Sequence, residues 1–317
     1  MIRFRHTTLT NYIKMSQTPR RSRRLSSNPD ERDPVPQWFF AAFTGDRSGS
    51  MSSMEGASGL GLYNWVKTMR KSAINNGQEG FISVTTFDDI AKNVFNNVPV
   101  KTIQFTKDDA MAEMAPRGTT RLYDTAVEDI NKLLQNVKTF RESLHPYVRK
   151  LNPTISMTWA CCTDGQDNAS ISNFKREFRD KVLFARKLGV KCFFIAANQD
   201  AILTGNQYGF SGDNSLSFSS NRQNAASAFR SVSENMRRVS SGSSDTQFTP
   251  AMRQSSQANQ YQIPTPPAIP RVAATLAATL AASPSTDPLN QTIRRGTIRT
   301  LRIAPRIVRQ RRINLRQ

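Results

Sequence analysis

Residues 38–52 of this chain read WFFAAFTGDRSGSMS. The first six residues are apolar without alternation, which is typical of a central parallel strand covered on both faces. Thr44 and Gly45 follow, and then come Asp46 and two serines at alternate positions, Ser48 and Ser50, separated by a glycine. Several oxygen ligands therefore follow one buried strand end, and oxygen ligands suit a small hard cation.

The positive charge of the chain is concentrated at its two ends. The 317 residues carry a formal net charge of +20. Residues 1–34 hold eight Lys or Arg against three acidic residues, and residues 287–317 hold nine Arg against one Asp. Basic ends indicate an anionic partner or a packed assembly, and they say little about the fold.

The cysteine content argues against a disulfide framework. The chain has three cysteines, Cys161, Cys162 and Cys192, all in apolar strand-like runs. An odd number of such residues predicts buried thiols in a reducing compartment. No apolar stretch approaches the length of a membrane span, and the N-terminus lacks the apolar core of a secretory signal.

Strand and helix patterns alternate from residue 37 to residue 240. Apolar or β-branched runs predict strands over 37–44, 81–87, 154–163 and 190–197, with a short edge strand around 93–95. Helical spacing predicts helices over about 60–74, 111–114, 122–143, 171–188 and 221–239. A glycine-punctuated loop is predicted over 205–212, and order is expected to fail from about Gly242.

This alternation predicts an α/β fold with a Rossmann-like, doubly wound, mainly parallel sheet and helices on both faces. In such sheets ligands bind beyond the carboxyl ends of the strands, near the point where the strand order reverses. Three polar clusters, at 46–50, 118–120 and 164–167, each follow a strand or open a helix. We therefore expect them to converge at one edge of the sheet.

These motifs carry a family resemblance. The run Asp46-Arg47-Ser48-Gly49-Ser50-Met51 resembles the D-x-S-G-S-M signature of von Willebrand factor A (vWA) domains. Gly118–Asp124, which reads GTTRLYD, and Thr163-Asp164-Gly165 resemble the two further loops of that family, in the same order. The resemblance covers roughly residues 37–240 and is closest to free-standing A domains of bacteria, phages and large DNA viruses.

The resemblance implies a vWA fold with a metal-ion-dependent adhesion site (MIDAS). Ser48, Ser50 and Thr120 would offer hydroxyls to Mg²⁺ or Mn²⁺, and Asp46 and Asp164 would bind directly or through water. Thr119 competes with Thr120 for the ligand role, and we favour Thr120 because Leu122-Tyr123-Asp124 sets the register. An open position on the ion would then accept an acidic side chain of a protein partner. Asp88, Asp124 and Asp167 are interpreted as caps or surface groups.

The two ends are expected to be basic arms, over residues 1–35 and 241–317. The arms suit contacts with other assembly or capsid proteins, and nucleic acid is the alternative partner. The residues proposed for these contacts are all arginines: Arg20, Arg21, Arg23, Arg24, Arg294, Arg295, Arg299, Arg302, Arg311 and Arg312.

Catalysis is disfavoured by the sequence. The chain has only two histidines, His6 and His145, no Walker-type phosphate-binding loop, and no metal-ligand spacing around its cysteines. We expect instead a metal-dependent protein-interaction module of a large intracellular assembly. The resemblance to viral A domains suggests a minor capsid protein, located in the cytoplasm or the virion.

Overall fold

The computed structural model describes residues 37–257, which form one sheet with helices on both of its faces. The six strands are β1 (Trp38–Asp46), β2 (Glu79–Phe87), β3 (Ala91–Pro99), β4 (Ile155–Thr163), β5 (Lys191–Ala197) and β6 (Ser215–Phe218). The α-helices are α1 (Ala57–Asn75), α2 (Lys107–Glu113), α3 (Leu122–Ser143), α4 (Pro146–Lys150), α5 (Lys175–Lys187), α6 (Ala201–Gln207), α7 (Arg222–Ser240) and α8 (Pro250–Gln257). Short 3-10 turns lie at Gly49–Met54, Val100–Thr102 and Gly212–Asn214.

The strand order is β3-β2-β1-β4-β5-β6. All neighbouring strands are parallel except β2 and β3, which are antiparallel. Because β1 lies between β2 and β4, the order reverses at β1, as it does in doubly wound sheets. The predicted mainly parallel, doubly wound α/β fold is confirmed.

The unbroken apolar run of β1 packs against helices on both faces of the sheet. Phe39 and Phe43 point into the core formed with α1 and α7, and Phe40 and Ala42 point into the core formed with α3 and α5. Alternation of side chains along a strand explains this division. The absence of polar residues from 38–43 is therefore a consequence of burial on both faces.

The predicted helix over 171–188 begins later, at Lys175. The backbone N–H groups of Ile171, Ser172 and Asn173 donate to the carboxylate of Asp124 on α3 instead of entering a helix. A side chain distant in sequence thus holds this segment as a loop, which the local pattern does not reveal.

The predicted loop over 205–212 is confirmed only for residues 208–211, because α6 extends to Gln207 and a 3-10 turn begins at Gly212. The strand β6 that follows this turn was not predicted. Asp200 caps α6 by accepting from the backbone N–H of Leu203 at 3.0 Å. Gly205 is needed for close packing, because a Cβ added there would lie 2.4 Å from the Ser215 hydroxyl oxygen. Although the sequence pattern predicts a loop at this glycine, the glycine allows the helix to approach the strand.

Packed structure continues past Ser240, the last residue of the domain that we predicted. Phe248 is buried in the core, and α8 lies beside the edge strand β6. Arg253 donates to the carbonyl oxygen of Ser215 at 2.7 Å, and Ser256 donates to that of Ser217 at 3.0 Å. The expectation that order fails from Gly242 is therefore wrong for the segment ending at Gln257.

Both predicted arms lie mostly outside the described residues, including all ten of the arginines named for them. In the described part of the chain, no helix is both long and apolar enough to cross a membrane. Cys161, Cys162 and Cys192 are buried and unpaired with one another, and burial raises the pKa of each thiol.

Candidate metal site

Asp46 is the last residue of β1 and is completely buried. Its Oδ1 accepts from the backbone N–H of Ser48 at 2.7 Å, and its Oδ2 accepts from the Thr163 hydroxyl at 2.7 Å. These two bonds fix the orientation of the carboxylate between β1 and β4. Burial raises the pKa of Asp46 to about 6, although both hydrogen bonds act to lower it.

Hydrogen bonds between side-chain oxygens connect the Asp46 loop to the end of β4. The hydroxyl oxygens of Ser48 and Ser50 are 3.1 Å apart, and the Ser50 hydroxyl donates to Asp164 Oδ1 at 2.7 Å. Asp164 directly follows β4 and is half-buried, and burial raises its pKa. The structure therefore brings these two loops together at the carboxyl edge of the sheet.

Thr120 joins the same cluster from a third segment. Its backbone N–H donates to the Asn168 side chain at 2.8 Å, and its hydroxyl oxygen lies next to Gly165, 3.6 Å from the position of an added Cβ. Thr120 is buried, whereas Thr119 is exposed. Of the two threonines that the sequence leaves in competition, Thr120 is the one that lies beside the Asp164 loop.

The loop that carries Thr120 is attached directly to the Asp46 loop. The backbone N–H of Gly49 donates to the carbonyl oxygen of Gly118 at 3.1 Å, and that of Arg117 donates to the carbonyl oxygen of Arg47 at 2.8 Å. Gly118 has a φ of +66°, and a Cβ there would lie 2.3 Å from a carboxylate oxygen of Asp89. Glycine is thus required at this position by both backbone conformation and space.

The donor set fits a hard divalent cation. Three hydroxyls and two carboxylates lie together, and Mg²⁺ and Mn²⁺ prefer such oxygen ligands. Within residues 37–257 there is no group of three or more His, Cys, Asp or Glu of the kind that forms carboxylate-rich or thiolate sites. A cation here would also favour the charged forms of the two carboxylates, whose pKa values burial raises.

Asp88 is a second buried carboxylate at this edge, and our interpretation of it as a cap or surface group was incomplete. Its Oδ2 accepts from Arg117 Nε at 2.6 Å and lies 3.0 Å from Nε of the buried Arg47. Its carbonyl oxygen accepts from the backbone N–H of Arg121 at 2.8 Å. Asp88 thereby holds together the Asp46 loop, the end of β2 and the Thr120 loop.

A signal for Asp88 was present in the sequence. Asp88 directly follows β2, and Phe87, the last residue of β2, is paired with Asp46 in the register of the sheet. Polar residues at neighbouring strand ends of a parallel sheet lie close in space. The contact with Arg47, however, depends on side-chain packing that a strand pattern does not specify.

Asp124 and Asp167 support the site from a distance. Asp124 accepts from three consecutive backbone N–H groups, as described above, and from Arg121 Nε at 3.0 Å. These hydrogen bonds outweigh its burial and lower its pKa to about 2. Asp167 accepts from the backbone N–H of Tyr123 at 3.1 Å, near the start of α3. Both residues act as caps that order the loop after Asp164.

Sequence reasoning missed a buried polar group beneath the site. Asp129, on α3, accepts from the hydroxyls of Thr44 at 2.6 Å and Thr85 at 2.7 Å. Trp159 in turn donates to the Thr44 hydroxyl at 2.8 Å. The only sequence signal is the position of Asp129 next to Ile130, which is on the apolar face of α3.

No protein-family profile and no curated protein sequence matches this chain. Solved structures that it resembles include proximal thread matrix protein 1 from the mussel byssus (18% identity, TM-score 0.38, 65% of this chain and 46% of that chain). Another is a von Willebrand factor type A structure from Catenulispora acidiphila (13%, TM-score 0.39, 64% and 43%). A third is the vWF domain of the type V pili tip protein Mfa5 from Porphyromonas gingivalis (10%, TM-score 0.40, 65% and 96%). This chain thus spans less than half the length of the first two.

Proposed function

We propose that this chain is a vWA-domain protein that binds a divalent cation and uses it to hold a protein partner. The observation that carries the proposal is the convergence of Asp46, Ser48, Ser50, Thr120 and Asp164. They come from three separate segments and meet where the strand order reverses. The three loops are joined by backbone hydrogen bonds, so the ligands are pre-positioned.

Mg²⁺ or Mn²⁺ would be held by the three hydroxyls, with Asp46 and Asp164 bound directly or through water. The bound ion would supply an electrophilic position that accepts a carboxylate of the partner. Asp46 and Asp164 are the site's own negative charges, and the remaining donors are neutral. A site of this composition leaves the cation attractive to a further anionic ligand.

Binding is favoured over catalysis at this site. His145, the one histidine in the described part of the chain, caps α4 and accepts from the backbone N–H of Tyr147. It follows the C-terminal end of α3, whereas the metal site lies near the N-terminal end of that helix. Within residues 37–257, therefore, no imidazole base lies beside the candidate site.

The test of this proposal is manganese binding by the full chain, measured by isothermal titration calorimetry. Asp46→Ala should abolish binding, because it removes the carboxylate that orients Ser48 and Thr163. Asp180→Ala, which removes an exposed carboxylate on α5, is the matched control and should bind as the wild type does. Unchanged manganese affinity in Asp46→Ala would refute the site.

The biological setting is a further part of the proposal. The basic ends suit a component of a large intracellular assembly, such as a minor capsid protein of a large DNA virus. Purification from the native source should then yield this chain within a particle rather than alone. Recovery of the free chain only, under conditions that preserve particles, would contradict this setting.

Nucleic-acid association through the arginine-rich ends is the alternative function. It is favoured by the nine arginines within residues 287–317. Arginines on an extended segment follow phosphates with little sequence preference. Such binding can accompany an assembly role, for example during packaging.

A further inference from the structure

A groove of about 680 Å³ lies between α3 and α5, on the side of the sheet opposite α1 and α7. Its apolar lining comes from Leu134 and Val137 on α3, Met157 on β4, and Phe184 and Leu188 at the end of α5. Its polar lining is contributed by α3 alone: Asn131, Gln135, Lys138, Arg141 and Glu142.

The groove is remote from the candidate metal site. Both α3 and α5 start near the carboxyl edge of the sheet, where the metal site lies, and run toward the opposite edge. Apart from Asn131, near the middle of α3, the lining residues of α3 belong to its C-terminal half. Phe184 and Leu188 lie at the C-terminal end of α5, and Met157 is the third residue of β4. Whatever binds in the groove would therefore leave the metal site free.

Two large apolar side chains of the groove remain uncovered. Phe184 is 49% exposed and Leu188 is 48% exposed, whereas Val137 and Met157 beneath them are buried. Isolated exposed apolar residues are ordinary, but here they form the wall of a concave surface with a buried apolar floor. Such a surface gains from burial against an apolar partner.

The shape and hydrogen bonding of the groove favour a helix as its occupant. Its walls are helices whose backbone groups bond internally, so they offer no edge to which a strand could add. The lining of α3 extends from Asn131 to Glu142, which corresponds to about 17 Å along a helix axis. A partner helix of about three turns matches that length and satisfies its own backbone.

The charge of the rim selects an acidic partner. Lys138 and Arg141 are exposed along α3, and Lys181 on α5 places its ammonium 5.5 Å from the centre of the Phe184 ring. The one acidic lining residue is Glu142, whose carboxylate is 4.0 Å from Lys138 Nζ. The lining thus holds two cations and one carboxylate, and Lys181 adds a third cation beside Phe184. This excess of positive charge favours acidic groups beside the apolar anchors of the partner.

We propose that the groove between α3 and α5 is a second protein-docking site, which takes an acidic amphipathic helix of a partner protein. Its apolar residues, spaced at i, i+3 or i+4, and i+7, pack on Phe184, Leu188 and Leu134. Its Asp or Glu residues pair with Lys138, Arg141 and Lys181. Docking here is independent of the proposed metal site and needs no cation.

The test is selection of a displayed library of randomised 14-residue helical peptides on the full-length protein in EDTA. Enriched peptides should carry the apolar spacing flanked by Asp or Glu. Phe184→Ser with Leu188→Ser should weaken their binding at least tenfold, as measured by fluorescence anisotropy. Ile74→Ser, which removes an equally exposed apolar residue from α1, is the control and should leave it unchanged.

Lys138→Glu with Arg141→Glu provides a second variant, at exposed positions where the fold is not at risk. This variant should bind acidic peptides at least fivefold more weakly than the wild type does. It should bind peptides more tightly when their Asp and Glu residues are replaced by Lys. The proposal is overturned if no enriched peptide depends on Phe184 and Leu188, or if the enriched peptides lack acidic residues. Binding of a 20-nucleotide single-stranded DNA is measured in the same way. The proposal is also overturned if this DNA binds more tightly than the peptides and if its affinity falls in Lys138→Glu/Arg141→Glu but not in Phe184→Ser/Leu188→Ser.

Discussion

At the scale of single residues, Asp88 explains how the Asp46 loop and the Thr120 loop are held together. Its carboxylate faces the buried Arg47 and the exposed Arg117, while its carbonyl oxygen holds Arg121. The net contribution of this buried ion pair to the free energy of unfolding is small, because desolvation of the two charges offsets much of their attraction. What matters is that removing the carboxylate would leave the Arg47 guanidinium buried without its counter-ion.

Asp88→Asn should therefore destabilise the protein and weaken metal binding together. We expect a loss of about 2–4 kcal/mol in the free energy of unfolding, measured by urea denaturation, because Arg47 remains buried. Manganese affinity should fall at least tenfold, because the loop carrying Thr120 loses the charged contact between Asp88 and Arg117. Asp180→Asn, at an exposed position on α5, should change neither quantity. Normal manganese affinity in Asp88→Asn would show that Thr120 is positioned by other contacts.

Asp129 should make the stability of the protein depend on pH. Burial raises its pKa from 3.8 to about 6, although Thr44 and Thr85 donate hydrogen bonds that lower it. Because the folded state then binds this proton more tightly than the unfolded state does, the free energy of unfolding falls as the pH rises through about 4 to 6. Above that range Asp129 is charged and its burial costs stability.

Asp129→Asn should remove this part of the pH dependence. The amide can accept from Thr44 and donate to Thr85, whose own proton can turn toward Asn93 Oδ1 at 3.2 Å. The variant should gain about 1–3 kcal/mol over the wild type at pH 7.5 and nothing at pH 4. Urea denaturation in EDTA across this range measures the difference, since Asp46 titrates in both proteins. Equal slopes for the two proteins would contradict the assignment.

At the scale of secondary-structure elements, α8 protects the edge of the sheet. β6 is a four-residue edge strand, and unpaired edge strands invite pairing with other chains. Arg253 donates to the carbonyl oxygens of Ser215, Gly212 and Asp213, and the backbone N–H of Ser219 donates to that of Ser256. The outer edge of β6 is thus occupied by the chain itself.

Arg253→Ala should loosen α8 and expose this edge. The loss of three hydrogen bonds to carbonyl oxygens should lower the free energy of unfolding by about 1–3 kcal/mol. It should also raise the fraction of self-associated protein in light scattering. Arg230→Ala, at an exposed position on α7, is the matched control. A monomeric, fully stable Arg253→Ala would show that α8 does not protect the edge.

At the scale of the whole molecule, charge and fold are distributed differently along the chain. The structure describes residues 37–257, whereas the arginine-rich segment begins about thirty residues later in the sequence. Both proposed docking sites lie within the described residues. In the proposed function, the ends would add a separate, charge-dependent type of interaction.

Deletion of residues 287–317 should weaken nucleic-acid binding and its dependence on salt. If the nine arginines contact phosphates, the slope of log K against log salt should become smaller by up to about 6 on single-stranded DNA. Fluorescence anisotropy at several salt concentrations measures this slope. An unchanged slope would indicate that the segment contacts proteins of an assembly instead.

The sequence by itself determined the fold class, because the fold class follows from the pattern of apolar residues within each strand and helix. The unbroken apolar run of 38–43 requires cover on both faces, and alternating strand and helix periods require parallel crossovers. The same reasoning predicted that the polar clusters at 46–50, 118–120 and 164–167 would meet, since strand ends in a parallel sheet share one edge. The choice of five ligands within these clusters came from the resemblance to vWA domains.

Only the tertiary structure decided the features that depend on distant side chains. Asp124 prevents residues 171–173 from joining α5, and Gly205 allows α6 to pack on Ser215 rather than marking a loop. Asp88, Asp129 and the groove at Phe184 likewise arise from residues brought together across 30 or more positions. Periodicity describes which face of an element is buried, but it does not specify which polar or apolar groups meet there.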